Sequence, residues 1–88
     1  MVYKAEDFRT AYKLFALEWA EGFLREAFEQ AKVNPIAEQF SKKIYAHKKI
    51  IDEIYENLNR MTSRDVTIEQ DWKDQSYGDV CATFKVIW

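Results

Sequence analysis

The sequence is poor in the residues that mark several large classes of protein. It has a single cysteine, Cys81, so an intramolecular disulfide is excluded, and with it a disulfide-stapled secreted fold. With only two glycines and one proline, the sequence has too few of these residues to form long flexible linkers. No apolar run approaches the roughly 20 residues of a membrane-spanning helix, and the N-terminal segment MVYKAEDF lacks the apolar core of a secretory signal. These absences favour a cytoplasmic protein.

Excess charge of either sign is also lacking. The chain has 13 Lys and Arg against 15 Asp and Glu, a net charge of −2, which is far from the basic footprint of most nucleic-acid-binding domains. Apolar residues make up 48% of the sequence and aromatic residues 16%, the opposite of a disordered chain. Residues 1–88 therefore suit one domain, of a size that often gains burial by oligomerising.

Helical periodicity extends from about residue 5 to residue 32. One stripe at spacings of three and four contains Phe8, Tyr12, Phe15, Trp19 and Phe23. Leu17, Leu24 and Phe28 lie well around the helix from this stripe, so the apolar surface is wider than one packed face requires. The aromatic residues exceed what so small a core can hide, and the surplus predicts an interface.

A second helix is predicted from about residue 35 to residue 61. Asn34-Pro35 is a suitable helix start. Apolar residues then follow at spacings of three and four: Ala37, Phe40, Ile44, His47, Ile51, Ile54, Leu58 and Met61. The short connection between the helices predicts an antiparallel helical hairpin. In this pattern His47 occupies a core position, which favours a structural histidine over a catalytic one.

The period changes to two after residue 64, which predicts strands at about 64–72 and 80–88 joined by a turn in KDQSYGD. A register that pairs Trp72 with Val80 turns the apolar residues of both strands toward the helices. An isolated two-stranded hairpin is marginal, so a third strand is expected from Val2-Tyr3 or from a second protomer. The predicted fold is α+β, with two long antiparallel helices followed by a C-terminal β-hairpin.

No set of residues assembles into a catalytic or metal-binding pattern. His47 has no partner that would complete a triad, and Asp65, Glu69 and Asp71 line an exposed strand face without a nearby histidine or glycine-rich loop. Cys81 has no base that would lower its pKa. We therefore expect no enzymatic activity, no metal and no cofactor.

Two hypotheses of function remain open. The first is a non-enzymatic interaction protein of the accessory or inhibitor type, such as phages and mobile elements encode, which binds a protein partner, a second copy as a homodimer, or both. Its predicted contact residues are Leu17, Trp19, Leu24, Phe28 and Trp88. The second is an RNA- or DNA-binding module, in which Lys42, Lys43, Lys48 and Lys49 contact phosphates and Tyr45 stacks on a base. Strong salt dependence of binding would distinguish the second from the first.

Overall fold

A three-stranded antiparallel sheet with two helices packed on one face forms this α+β fold. The computed structural model describes residues 2–88, except for the side chains of Gln75 and Ser76. In chain order the elements are α1 (Ala5–Val33), β1 (Gln39–His47), α2 (Lys48–Arg60), β2 (Thr67–Ser76) and β3 (Asp79–Ile87). The last strand, β3, lies between the other two. The predicted order of two helices followed by a hairpin is therefore wrong, because β1 separates the helices.

Residues 39–47, which the sequence assigned to a helix, form the third strand of the sheet. Phe40, Ile44 and Ala46 alternate toward the helices and pair with Val86, Ala82 and Val80 of β3. Phe40 and Ile44 fit both the helical spacing and the strand spacing. Pairing of this segment with β3 stabilises the strand. Neither Val2-Tyr3 nor a second copy is needed to complete this sheet.

The Asn34-Pro35 pair begins a turn and not a helix. The backbone N–H of Ala37 donates to the carbonyl of Asn34 at 3.1 Å, with proline at the second position, where its fixed φ suits a turn. The chain then enters β1 directly. The predicted antiparallel helical hairpin is thus replaced by a connection from α1 to an edge strand.

His47 is exposed and lies at the junction between β1 and α2, so its predicted core position is wrong. Its Nδ1 accepts the backbone N–H of Lys49 at 3.1 Å, which caps the N-terminus of α2. The role is structural, but it comes from a hydrogen bond at a helix end and not from burial.

The β2–β3 hairpin closes with a two-residue loop, Tyr77 and Gly78, whose φ angles are 53° and 83°. Two-residue type I′ hairpin turns require positive φ at both positions. The turn lies near the end of the predicted turn segment and a bulge between Asp74 and Ser76 adds one residue to β2, so Trp72 pairs with Ala82 and not with Val80. The shift is two residues, so the alternation of faces is unchanged.

The core lies between the helices and the inner face of the sheet. Its buried apolar members are Ala16, Ala20, Phe23 and Ala27 of α1, Ile51, Ile54 and Leu58 of α2, Ile68 of β2, and Val80, Ala82, Phe84 and Val86 of β3. No helix in the described part of the chain has the length and apolar content that crossing a membrane requires.

Candidate functional site

An apolar groove opens where the C-terminal half of α1 meets the end of β3, and we call it the α1–β3 groove. Its volume is about 340 Å³. It is lined by Leu24, Ala27, Phe28 and Ala31 of α1, by Thr62 and Val66 from the connection between α2 and β2, and by Val86 and Trp88 at the C-terminal end. Three of the five residues predicted to contact a partner, Leu24, Phe28 and Trp88, therefore lie together.

Two aromatic side chains form the rim of the α1–β3 groove. Phe28 is 64% exposed and Trp88 is 41% exposed. The Lys32 ammonium lies 5.1 Å from the centre of the Phe28 ring, and the backbone N–H of Trp88 donates to the carbonyl of Glu38 at 2.9 Å. The rim aromatics are thus held in place by local contacts while their rings face solvent.

The lining of the α1–β3 groove leaves little for a polar ligand to bind. Its one side-chain hydroxyl, on Thr62, donates to the carbonyl of Leu58 at 2.8 Å and is already partnered. The floor consists of Ala27 and Val86, which are both buried. Such a surface binds an aliphatic or aromatic side chain by desolvation and close packing.

The other two predicted contact residues lie elsewhere. Trp19 stacks on Phe23 at 5.4 Å between ring centres and contacts Phe84 at 5.5 Å, so it packs against the core. Leu17 is 37% exposed on α1 outside the α1–β3 groove. Helix α1 therefore exposes apolar side chains beyond those that pack in the core, but Trp19 is not one of them.

The predicted basic cluster does not form one surface. Lys42 lies on the strand face that turns toward the helices, and its ammonium is 2.9 Å from the Glu26 carboxylate. Lys48 pairs with Asp52 and lies 4.7 Å above the Trp72 ring. Lys43 and Tyr45 alternate to the outer face of β1, while Lys49 is the second residue of α2. Four lysines close in sequence thus point in several directions.

The outer face of the sheet carries both signs of charge. Lys85 of β3 pairs with Glu69 of β2 in the sheet register. Thr83 lies between Lys43 and Asp71. Opposite charges on neighbouring strands neutralise each other, so this face is neither an acidic ligand site nor a continuous basic track.

The other polar residues considered in the sequence analysis, the acidic residues and Cys81, do not assemble into a binding site among the described residues. Within residues 2–88, no group of three or more His, Cys, Asp or Glu side chains is placed to hold a metal ion. Asp65 is fully exposed, and the hydrogen bond that it accepts from the Ser63 hydroxyl lowers the pKa of its carboxyl. Cys81 is half-buried on the outer face of β3.

A second apolar surface, which includes Phe8 and Phe15 of the predicted apolar stripe, lies on the N-terminal part of the chain. Residues 2–15 extend beyond the core, and we call them the arm. Its exposed apolar side chains are Val2, Tyr3, Phe8, Leu14 and Phe15. The core stripe of α1, Ala16, Ala20, Phe23 and Ala27, continues at the same spacing to Lys13 and Arg9. This change from apolar to basic residues is a sequence signal for the start of the arm.

Comparison with protein-family models, with curated proteins and with solved structures finds no match to this chain. Its function must therefore be inferred from its own surfaces.

Proposed function

We propose that this chain is a small non-enzymatic interaction protein that binds a protein partner through the α1–β3 groove. The observation that carries the proposal is the apolar lining of the groove between two exposed aromatic rim residues, Phe28 and Trp88. Aromatic residues around a desolvated pocket are typical of interface hot spots. The occupant is an apolar side chain of the partner, because the polar side-chain groups of the lining are only the Thr62 hydroxyl, which is already partnered, and the indole N–H of Trp88.

The size of the groove supports an anchor of one or two side chains. A volume of about 340 Å³ is near the lower end of ligand pockets, which span roughly 300–1,000 Å³. A partner segment with one bulky apolar residue would fill it, whereas Lys32 beside Phe28 is already paired with the Glu29 carboxylate at 3.0 Å. Accessory and inhibitor proteins act by binding of this kind, without chemistry of their own.

The nucleic-acid hypothesis has less support from the geometry. Two of the four lysines are already paired with carboxylates, Lys42 with Glu26 and Lys48 with Asp52. The two that remain, Lys43 and Lys49, give too few phosphate contacts for strong binding, because each neutralised phosphate contributes separately to affinity.

The test is capture of partners on tagged protein from a cell lysate, with and without nuclease, followed by affinity measurements with the purified partner. Phe28→Ser and Trp88→Ala should each weaken binding about 30-fold, the effect of losing a hot-spot residue worth about 2 kcal/mol. Phe28 is mostly exposed and Trp88 is 41% exposed at the end of the sheet, so the variants should fold.

Ile36→Ser is the matched control, because Ile36 is 85% exposed and lies outside the α1–β3 groove. It should bind as the wild type does. Equal binding by all three variants would contradict the proposal. Loss of the captured partner on nuclease treatment, together with its loss in Lys43→Glu and Lys49→Glu, would establish the nucleic-acid hypothesis instead.

A further inference from the structure

The arm is a helical extension with an apolar stripe that no part of the described chain covers. Phe8 is 70% exposed, Phe15 is 47% exposed and Tyr3 is 68% exposed. The rings of Tyr3 and Phe8 are in contact at 5.7 Å between centres. Together with Val2, Ala11 and Leu14, and with the polar residues Asp7 and Thr10, they surround a shallow groove of about 680 Å³. This surface is separate from the α1–β3 groove, since the two share no residue.

The spacing of the stripe suits another helix. Phe8, Ala11 and Phe15 follow each other at intervals of three and four residues, which is the pattern of a helix–helix seam. The small Ala11 between two large rings creates a hole into which a ring from a facing helix can insert. A straight stripe of this kind is self-complementary, so the same surface can serve both members of a symmetric pair.

The exposed area reaches what a specific pair needs. At roughly 200 Å² for each aromatic side chain, the three exposed rings leave roughly 350 Å² uncovered. Val2, which is 84% exposed, and Leu14, which is 59% exposed, add roughly 150 Å² at the burial area typical of aliphatic side chains. Complete burial of these five side chains on both arms would remove roughly 1,000 Å² of apolar side chain from water, which just reaches the threshold for a specific interface.

The charges of the arm permit this pairing. Residues 2–15 contain the basic residues Lys4, Arg9 and Lys13 and the acidic residues Glu6 and Asp7. The net charge of one arm is therefore small, and two arms repel each other weakly. An arm of one strong sign would instead have favoured a partner of the opposite sign.

We propose that two copies of this chain pair through their arms, helix against helix, with Phe8, Ala11 and Phe15 in the seam. The inference does not rest on the function proposed for the α1–β3 groove, because the pairing surface and the groove are different residues. It does add to that function, since a pair joined by its arms carries one free groove on each copy.

The experiment is sedimentation equilibrium of the full chain across the micromolar range. The wild type should be a dimer at tens of micromolar or below. Phe8→Glu and Phe15→Glu should each weaken the dimer roughly tenfold or more, because each places a charge in a desolvated seam. Ile36→Glu and Phe28→Glu introduce the same charge at exposed apolar positions outside the arm and should leave the dimer constant unchanged.

A second measurement does not depend on those variants. Ala11→Cys in a Cys81→Ser background should form an intermolecular disulfide rapidly under mild oxidation, because Ala11 lies at the middle of the seam. Lys13→Cys in the same background is the comparison and should cross-link more slowly, because Lys13 lies about 200° around the helix from Ala11 and does not line this groove. A wild type that remains monomeric throughout the concentration range would overturn the proposal. So would a dimer that Phe28→Glu disrupts and Phe8→Glu does not, since that dimer would use the α1–β3 groove.

Discussion

The two glycines of this chain are expected to respond in opposite ways to replacement by alanine. Gly22 lies inside α1, and a Cβ built on it would meet nothing within 4 Å outside its own helix. Glycine in a helix interior costs about 1 kcal/mol relative to alanine. Gly22→Ala should therefore stabilise the domain by about 1 kcal/mol and raise Tm by roughly 4–8 °C, as expected for this chain length.

Gly78 is constrained twice. Its φ is +83°, and a Cβ there would lie 2.8 Å from Nε2 of His47. An L residue in the left-handed region costs roughly 1–2 kcal/mol. The imidazole would also have to move, and the hydrogen bond that caps α2 at Lys49 would be lost, at a cost of about 1 kcal/mol. Gly78→Ala should therefore destabilise the domain by roughly 2–3 kcal/mol.

A double-mutant cycle separates these two costs. His47→Ala alone should cost about 1 kcal/mol through the lost cap. Gly78→Ala combined with His47→Ala should cost about 1 kcal/mol less than the sum of the single changes, because the cap is lost only once. Urea denaturation of the four proteins measures the cycle. Additive costs would show that His47 does not contact Gly78, and a loss of stability in Gly22→Ala would show that another surface packs against this turn of α1.

Two further predictions concern Trp19 and Lys42. Trp19→Ala should lower the free energy of unfolding by about 3 kcal/mol, because it removes ring contacts with Phe23 and Phe84. Trp88→Ala should lower it much less. Similar losses for the two variants in denaturation curves would contradict the assignment of Trp19 to the core. Lys42→Val should increase aggregation on heating, because an inward-facing charge on an edge strand deters unwanted strand pairing. Glu26→Gln removes the ion pair but keeps the lysine, so it should change stability by less than about 1 kcal/mol and leave aggregation as in the wild type, as light scattering would show.

The extent of α1 and the alternation of the β2–β3 hairpin could be predicted because both patterns are local. The identity of β1 could not, because Phe40, Ile44 and His47 fit the helical spacing that continues through Ile51 and Ile54. Lys42 also interrupts the apolar alternation of the strand. Its place on the inward face is explained by the ion pair that it forms with Glu26 of α1. The choice of strand over helix at 39–47 depends on β3, which is distant in sequence.

The lining of the α1–β3 groove could be predicted in part for a similar reason. Leu24 and Phe28 lie around α1 from its main stripe, so an apolar surplus was visible there before any tertiary contact was known. Trp19 could not be separated from these residues, because the contact that places it against the core is with Phe84 of β3, which is distant in sequence. The exposure of Phe8 follows from geometry: α1 has 29 residues, roughly 43 Å, whereas a strand of nine residues such as β1 spans roughly 30 Å.

The apolar surface of α1 is wide enough for three different sides of the helix to make contacts: one with the sheet, one with a partner in the α1–β3 groove and one with a second copy. The core stripe faces the sheet, Leu24 and Phe28 lie roughly 90° to one side of it, and Phe8 and Phe15 lie roughly 100° to the other side. Pairing through the arms would therefore leave both α1–β3 grooves accessible, and a partner with two anchors would gain avidity. Phe8→Glu should then weaken binding of this protein to a surface coated densely with the partner. It should leave unchanged its affinity for a peptide that carries one anchor residue. An equal loss in both assays would show that the arm itself contacts the partner, and that pairing and binding use the same surface.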